Sequence, residues 1–221
     1  SSDLAPSKKF INRPAWSSNA LKICQIDLAD YRSMPSRGKQ WHFTFIDLYS
    51  KMLVVELQAN KTAESCARSF RTICQRLAMD LYGGTIVSDN DASFLAPPFQ
   101  AVMREFGLKH VRVRTYSSNA AAVERVQQTV RRAIGKWKTQ SGRSDWSNHL
   151  GAIVHSYNTS THSAIKMAPA IALQGFLRQD AESIRYVREQ QQRYSKKMMS
   201  NTGTPLEPGD KVRCSIYCLS S

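Results

Sequence analysis

The chain has 221 residues, 42% of them hydrophobic, which is enough to bury one substantial core and at most a small appendage. Lys and Arg outnumber Asp and Glu by 31 to 17, so the formal net charge is +14 and a polyanionic partner, most often nucleic acid, is expected. No apolar run approaches the length of a membrane span, and no secretory signal is visible, although a true N-terminal address could be missing because the chain starts with Ser.

The N-terminal part of the chain predicts an arm followed by three strands. Residues 1–19 are polar, basic and twice interrupted by proline, and the chain starts with Ser, as a fragment or a processed chain does. Segments 20–30, 40–50 and 51–58 are rich in β-branched and aromatic residues and are separated by turn-like breaks. The last two segments are close enough to form a hairpin.

The middle of the chain alternates between helices and strands. Residues 62–81 have apolar positions at helical spacing, with Thr62 placed to cap the helix and a Gly-Gly pair at 83–84 to end it. TIVSDN predicts a fourth strand, 93–107 a helix with a proline-disturbed start, and 108–115 a fifth strand. Further helices are predicted over 119–139, 145–160 and 168–176.

The order of these elements predicts a mixed α/β layer fold with a ribonuclease-H-like core, in which helices flank a five-stranded sheet. We expect four regions: a basic arm over 1–19, a core over 20–176, a charged helical linker over 177–202, and the first strand of a small C-terminal β-barrel over 203–221. A helix that is polar on all sides usually bridges domains, which is why the linker is set apart.

Three carboxylates occupy positions suited to a metal-dependent nuclease or strand transferase. Asp27 closes the apolar run LKICQID, Asp89 follows GTIVS, and Glu124 lies in a predicted helix with 34 residues between it and Asp89. Three elements that deliver one carboxylate each can hold a pair of divalent cations, and Mg²⁺ prefers oxygen ligands. An Asp after a strand is also a common cap or turn residue, and that structural alternative is open for each residue taken singly.

The five cysteines are odd in number and form no paired C-x-x-C, and no histidine makes a ligand-spaced pair with them. We therefore expect a reducing compartment and no structural zinc in this segment. Cys66 and Cys74 fall within one predicted helix as small core residues. Trp137 and Trp146 are expected to pack in the core or between helices, and Asp47 to have a structural role.

Five motifs in order resemble one family. They are QIDLAD, FTFIDLYSKMLVVELQANKTAES, IVSDND, TYSSNAAAVERVQQTV and SYNTSTHSAIKMAP, with PGDKVRC downstream. Together they are similar to the catalytic core of retroviral-type integrases, and most of all to integrases of Polinton/Maverick-type DNA transposons and of LTR retrotransposons. The resemblance runs from about Lys22 to Phe176, with a weaker tail to Arg213.

The resemblance implies two-metal phosphoryl transfer, in which a DNA end is processed and then joined to target DNA. Asp27, Asp89 and Glu124 are then the catalytic residues and the ligands of two Mg²⁺ or Mn²⁺ ions. Such an ion pair, about 3.5–4 Å apart, activates the attacking oxygen and stabilises the leaving one. A homo-oligomer on DNA is implied if the chain is active, with the nucleus as the expected compartment and an organelle as an open alternative.

Relatives use the face of the helix that carries the glutamate to contact the DNA end. On this helix the predicted nucleic-acid contacts are Gln128, Arg131, Arg132 and Lys136, with Arg131 foremost. A solvated basic helix face is the alternative explanation, and it is strongest for Arg132 and Lys136.

Two positions depart from the family pattern. Asp91 stands where relatives usually have Gly, and Ser93 where many have an acid or an amide. We expect repulsion between Asp89 and Asp91 to raise the apparent pKa of the pair. The altered turn favours a rival hypothesis, a domesticated and non-catalytic subunit of a larger DNA or RNA assembly, whereas the complete acidic triad favours catalysis. A plain ribonuclease-H-type nuclease is a third possibility.

Overall fold

The computed structural model describes residues 16–77, 81–113 and 121–200. Its centre is a five-stranded sheet with the strand order β3-β2-β1-β4-β5. The strands are β1 (Ile23–Asp30), β2 (Trp41–Asp47), β3 (Leu53–Gln58), β4 (Thr85–Ser88) and β5 (Lys109–Arg112). The first three pair antiparallel, whereas β4 and β5 run parallel to β1, so the predicted mixed sheet and the β2–β3 hairpin are confirmed.

Helices cover both faces of this sheet. They are α1 (Ala63–Leu77), α2 (Ala92–Leu95), α3 (Pro97–Glu105), α4 (Ala121–Ser141), α5 (Leu150–Thr159), α6 (Pro169–Leu177) and α7 (Ala181–Ser200). Thr62 caps α1 as predicted, because its Oγ1 accepts a hydrogen bond of 3.2 Å from the backbone amide of Ser65. No helix in the described ranges is long and apolar enough to cross a membrane.

Alternation along the strands builds a separate core on each face of the sheet. Phe43, Phe45 and Phe70 belong to the cluster beneath α1, α2 and α3, together with the buried thiols of Cys66 and Cys74. Ile46 and Trp146 belong to the cluster beneath α4 and α5. Trp146 is fully buried and Trp137 packs against the same cluster, so both tryptophans have the packing role predicted for them.

Asp27 lies inside β1, which stays paired with β2 as far as the Asp30–Trp41 partners, in agreement with the strand predicted over 20–30. One local prediction needs correction. The helix predicted over 93–107 is split at Ala96, which is extended with φ −70° and ψ 152°. The cause is Pro97, since proline disfavours the helical conformation in the residue before it and is itself well placed at the first position of the next helix.

The charged C-terminal helix packs on the rest of the protein. Val187 of α7 is fully buried in the first core, and Gln191 donates a hydrogen bond of 2.7 Å to the carbonyl of Tyr49. Arg188 donates to the carbonyl of Ser18. The segment is therefore a packed helix, and not polar on all sides as its composition indicates. The division into four regions stays a prediction, and residues 203–221 lie outside the described ranges.

Candidate functional site

A small cleft of about 40 Å³ brings the three predicted carboxylates together. Its lining comes from β1, the end of β4, the residue after β5 and the first turn of α4. The lining residues are Gln25, Ile26, Asp27, Val87, Ser88, Asp89, Val113, Val123 and Glu124. Asp27, Asp89 and Glu124 thus face one space, although each belongs to a different element of the fold.

Strand register places the two aspartates side by side. In the parallel pairing of β1 with β4, Gln25 is the partner of Val87. Asp27 and Asp89 each lie two residues further along, so they project on the same face of the sheet at the same level. Asp89 comes directly after the last residue of β4, whereas Asp27 is held within the β1–β2 pairing opposite Thr44.

Side chains from the sheet hold the helix that carries Glu124. The backbone amide of Val123 donates a hydrogen bond of 3.2 Å to Oε1 of Gln25. One turn further on, Nε2 of Gln127 donates to Oγ1 of Thr44 over 3.4 Å. Buried valines on the same side of α4 complete the attachment. Glu124 itself is exposed, so its backbone is fixed while its side chain keeps rotational freedom.

The negative charges of the three carboxylates repel one another in the cleft. Burial, followed by the charges of Asp89 and Glu124, raises the pKa of Asp27 to about 7, although hydrogen bonds from Leu28 and Gln127 oppose the shift. The Leu28 amide lies 2.7 Å from the Asp27 carboxylate. Without a cation, the Asp27 carboxyl therefore keeps its proton to a much higher pH than an ordinary aspartate does. A divalent cation in the cleft would relieve this repulsion.

The donor chemistry of the cleft fits Mg²⁺, because all three carboxylates supply hard oxygen ligands. Within the described ranges, none of the three forms an ion pair with Lys or Arg that would compete with a cation. The geometry is open, however. In the same ranges no group of three or more His, Cys, Asp or Glu side chains is drawn together closely enough to hold a metal ion.

Asp91 has a structural role and fits its turn, although relatives usually have Gly at this position. Its backbone has φ −61° and ψ 131°, so the turn does not need glycine. Its carboxylate caps α2 by accepting from the Ser93 amide at 2.9 Å, and it forms an ion pair with Lys61. Burial raises the pKa of Asp91, but Lys61 and Ser93 outweigh it and the net shift is downward. The expected upward shift was wrong for Asp91, since its charge is compensated by Lys61.

A hydrogen-bond relay behind Asp89 was not predicted from the sequence. The Gln100 amide group donates to the carbonyl of Phe94 at 2.6 Å and contacts Nδ1 of His110 at 2.8 Å. Because that amide nitrogen has only protons to offer, Nδ1 accepts and Nε2 carries the imidazole proton. Nε2 then donates to Ser88 Oγ at 2.8 Å, and the Ser88 hydroxyl donates to the carbonyl of Asp89.

Burial and the nearby charge of Arg112 lower the pKa of His110, so the imidazole stays neutral. Each hydrogen bond of the relay therefore keeps the same donor and acceptor. The relay connects α3 and β5 to the backbone carbonyl of Asp89, one of the three cleft residues. The only signal in the sequence is a histidine in the predicted fifth strand, because the pairing of His110 with Ile86 appears only once the sheet is assembled.

Replacing Ser88 with Ala is expected to lower the free energy of unfolding by about 1–3 kcal/mol, since it leaves the His110 Nε2 proton without an acceptor. Urea denaturation measures this change. Ser160→Ala is the matched control, because its exposed hydroxyl only donates to the carbonyl of Ser156 and its loss should cost less than about 0.5 kcal/mol. Equal effects from the two variants would contradict the relay.

The four predicted nucleic-acid contacts all lie on α4, where their surroundings differ. Arg131 donates 2.9 Å to the carbonyl of Asp30, and its guanidinium lies over the ring of Tyr31 at 5.0 Å. Gln128 and Arg132 line a second cavity, apart from the acidic cleft. Lys136 is exposed further along α4. That these four side chains contact nucleic acid stays a prediction.

Comparison with known proteins confirms the resemblance to integrase cores. Residues 18–118 match the family model of the integrase core domain, a range that includes Asp27 and Asp89 and ends before Glu124. Among curated proteins, none matches the sequence of the chain. The finer resemblance to Polinton/Maverick-type and LTR-retrotransposon integrases stays a prediction.

Solved structures share the fold at low sequence identity. A chain of the simian T-cell lymphotropic virus intasome in complex with PP2A regulatory subunit B56 gamma has a TM-score of 0.65 and 14% identity, over 75% of this chain and 59% of that chain. The present chain thus spans about 59% of the length of that chain.

The HTLV-2 integrase catalytic core domain in complex with magnesium is similar in both its dimeric and its trimeric form. The dimeric form has a TM-score of 0.55 and 17% identity, over 69% of this chain and 95% of that chain. The trimeric form has a TM-score of 0.54 and 16% identity, over 72% and 98%. The ribonuclease-H-like arrangement predicted from the sequence is therefore confirmed as the fold of integrase cores.

Proposed function

We propose that the chain is the core of an integrase-type or transposase-type enzyme that cuts a DNA end and joins it to another DNA. The observation that carries the proposal is the cleft in which Asp27, Asp89 and Glu124 meet. The match to the integrase core domain over residues 18–118 supports the same function. The formal charge of +14 suits a DNA partner.

Two Mg²⁺ or Mn²⁺ ions would be held by the three carboxylates, and when bound they would supply the charge stabilisation that phosphoryl transfer needs. Asp27 is fixed within the β1–β2 pairing, and Asp89, directly after β4, accepts a hydrogen bond of 3.0 Å from the Asp91 amide, so their oxygens are preorganised. Asp27 must give up the proton that the cleft favours. Glu124, exposed on the first turn of α4, closes the ligand set by rotating its side chain. The HTLV-2 core solved with magnesium supports this cofactor.

A homo-oligomer in the nucleus, or in another compartment that holds DNA, completes the proposal. The related HTLV-2 core domain forms dimers and trimers, and the simian virus chain belongs to an intasome, which supports assembly on DNA. Oligomers of this kind would place two or more acidic clefts on one nucleoprotein complex.

The second candidate is a non-catalytic subunit that keeps the fold and the basic surface within a DNA or RNA assembly. The open geometry of the three carboxylates favours it. End-nicking and strand-transfer assays on short duplexes, with Mg²⁺ or Mn²⁺, separate the two. Products that depend on either metal support the enzyme, whereas retained nucleic-acid binding without any cleavage or joining supports the subunit.

DNA binding is expected to weaken steeply with salt, because each Lys or Arg contact to a phosphate releases counterions. Lys136→Gln should reduce the slope of log affinity against log salt by about 1 if Lys136 contacts a phosphate. Arg178→Gln is the matched control, an exposed cation at the end of α6 that should leave the slope unchanged. Fluorescence anisotropy at several salt concentrations gives the slopes, and identical slopes for all three proteins would remove Lys136 from the DNA face.

A further inference from the structure

A second cavity, of about 330 Å³, lies between α4, the turn that joins β2 to β3, the loop from α5 to α6, and α7. Its volume is in the range of pockets that hold small ligands. It shares no lining residue with the acidic cleft. The proposed DNA chemistry leaves this cavity without a role.

The walls of this cavity carry charge of one sign. Lys51, Arg125 and Arg132 all line it, and His162 adds a further nitrogen donor. Among the described residues that line it, none is Asp or Glu. Walls of this kind focus a positive potential into the space they enclose and attract anions.

Lys51 is the most unusual of these cations. Its side chain is buried, and its Nζ donates to the carbonyl of Leu48 at 2.7 Å. Within the described ranges it forms no ion pair with a carboxylate. The nearby carboxylate of Asp47 already accepts hydrogen bonds from the Leu21, Tyr49 and Ser50 amides and from the Ser50 hydroxyl.

Keeping a buried ammonium without a direct counter-ion is costly. Burial lowers the pKa of Lys51 to about 8, against the opposing charge of Asp47. Its backbone also has φ 64°, a left-handed conformation that is rare for a side chain of this size. A buried ammonium without a carboxylate partner can pair with an anion that enters the cavity.

The cavity also offers hydrogen-bonding groups around the cations. Gln191 is buried and uses its Nε2 to bond Tyr49, while its Oε1 has no hydrogen-bond partner among the described residues. That oxygen can accept only from a donor such as a hydroxyl. Arg125 donates 3.3 Å to the Tyr194 hydroxyl, so it is already oriented at the wall.

We propose that this cavity binds a phosphate group, held by Lys51, Arg125 and Arg132 and presenting a hydroxyl to Gln191. A phosphate provides several acceptor oxygens for ammonium and guanidinium donors, and charge-assisted bonds of this kind are the strong ones. The phosphate comes either from a small phosphorylated molecule or from a DNA strand that leaves the acidic cleft. The proposal does not depend on catalysis at that cleft.

Calorimetric titration with pyrophosphate, in metal-free buffer at fixed ionic strength, tests the site. Removing metal keeps the probe from binding at the acidic cleft through a cation. Wild type should bind saturably, and Arg125→Gln should weaken binding by about tenfold or more. Lys51→Met should abolish binding, and the exposed Arg125 provides the same test without disturbing the core. Arg104→Gln, on the exposed side of α3, is the control and should change binding by less than about twofold.

Competition with a short duplex identifies the source of the phosphate. If DNA displaces pyrophosphate and Arg125→Gln weakens both ligands, the site belongs to the DNA path. If DNA and pyrophosphate bind together, the ligand is a free phosphorylated molecule. Absence of saturable pyrophosphate binding, or an equal loss in Arg104→Gln, overturns the proposal.

Discussion

Replacing Asp27 with Asn is expected to lower end nicking and strand transfer by roughly 100-fold or more with either Mg²⁺ or Mn²⁺. The amide keeps the shape of the side chain and can still accept the hydrogen bond from Leu28. It removes the negative charge that a divalent cation needs, at the residue that faces both Asp89 and Glu124. Product formation on a labelled duplex measures the loss.

Asp30→Asn is the matched control on the same strand. Asp30 is exposed, and both of its carboxylate oxygens accept hydrogen bonds from the Arg32 guanidinium, outside the acidic cleft. Its replacement should leave activity within about threefold, because exposed ion pairs contribute little. Equal losses in the two variants would indicate general damage to β1 and would remove Asp27 from the site. Normal activity in Asp27→Asn would point instead to a contaminating nuclease.

The sheet and most helices could be predicted because their signals are local. The segment LVVELQ has the composition of a strand, and the residues from Ala63 to Leu77 repeat their apolar positions at helical spacing whatever surrounds them. The grouping of Asp27 with Asp89 was also accessible, since the resemblance to integrase cores implied it. The parallel register that places them side by side is visible only in the structure.

The contacts that were missed join residues distant in sequence. Lys61, in the loop before α1, neutralises Asp91, and His110 of β5 contacts Ser88 of the neighbouring β4. Arg131 packs onto Tyr31 and the Asp30 carbonyl, two contacts that helical periodicity does not reveal. Each of these pairs depends on how elements dock and on side-chain direction, and neither property is encoded in spacing along the chain.

Asp27→Asn is also expected to stabilise the fold at neutral and alkaline pH. Asp27 has a pKa of about 7 in the folded chain against 3.8 as its ordinary value. Between these pH values the unfolded chain releases its proton while the folded chain keeps it. The stability of wild type therefore falls as pH rises from about 4 to about 7. The full shift corresponds to about 4 kcal/mol, and partial exposure reduces this to roughly 2–4 kcal/mol.

Asn does not titrate, so the gain of Asp27→Asn over wild type should be small at pH 4 and reach its maximum above pH 7. Urea denaturation at pH 4.5, 6 and 8 measures it. Asp30→Asn should show no such gain, because Arg32 lowers the pKa of Asp30. A difference independent of pH would mean that Asp27 ionises freely in the folded protein.

Repeating the urea denaturation with added Mg²⁺ tests whether a cation binds at Asp27. A cation that binds only the folded chain stabilises it in proportion to its affinity, so Mg²⁺ should restore wild type at pH 8. It should do little for Asp27→Asn, which lacks the charge that attracts the ion. The variant would then be the more stable protein without metal and would gain least when metal is added. Lower stability without metal, together with a larger gain on metal binding, is expected of a carboxylate that is kept in an unfavourable cleft because catalysis requires it there.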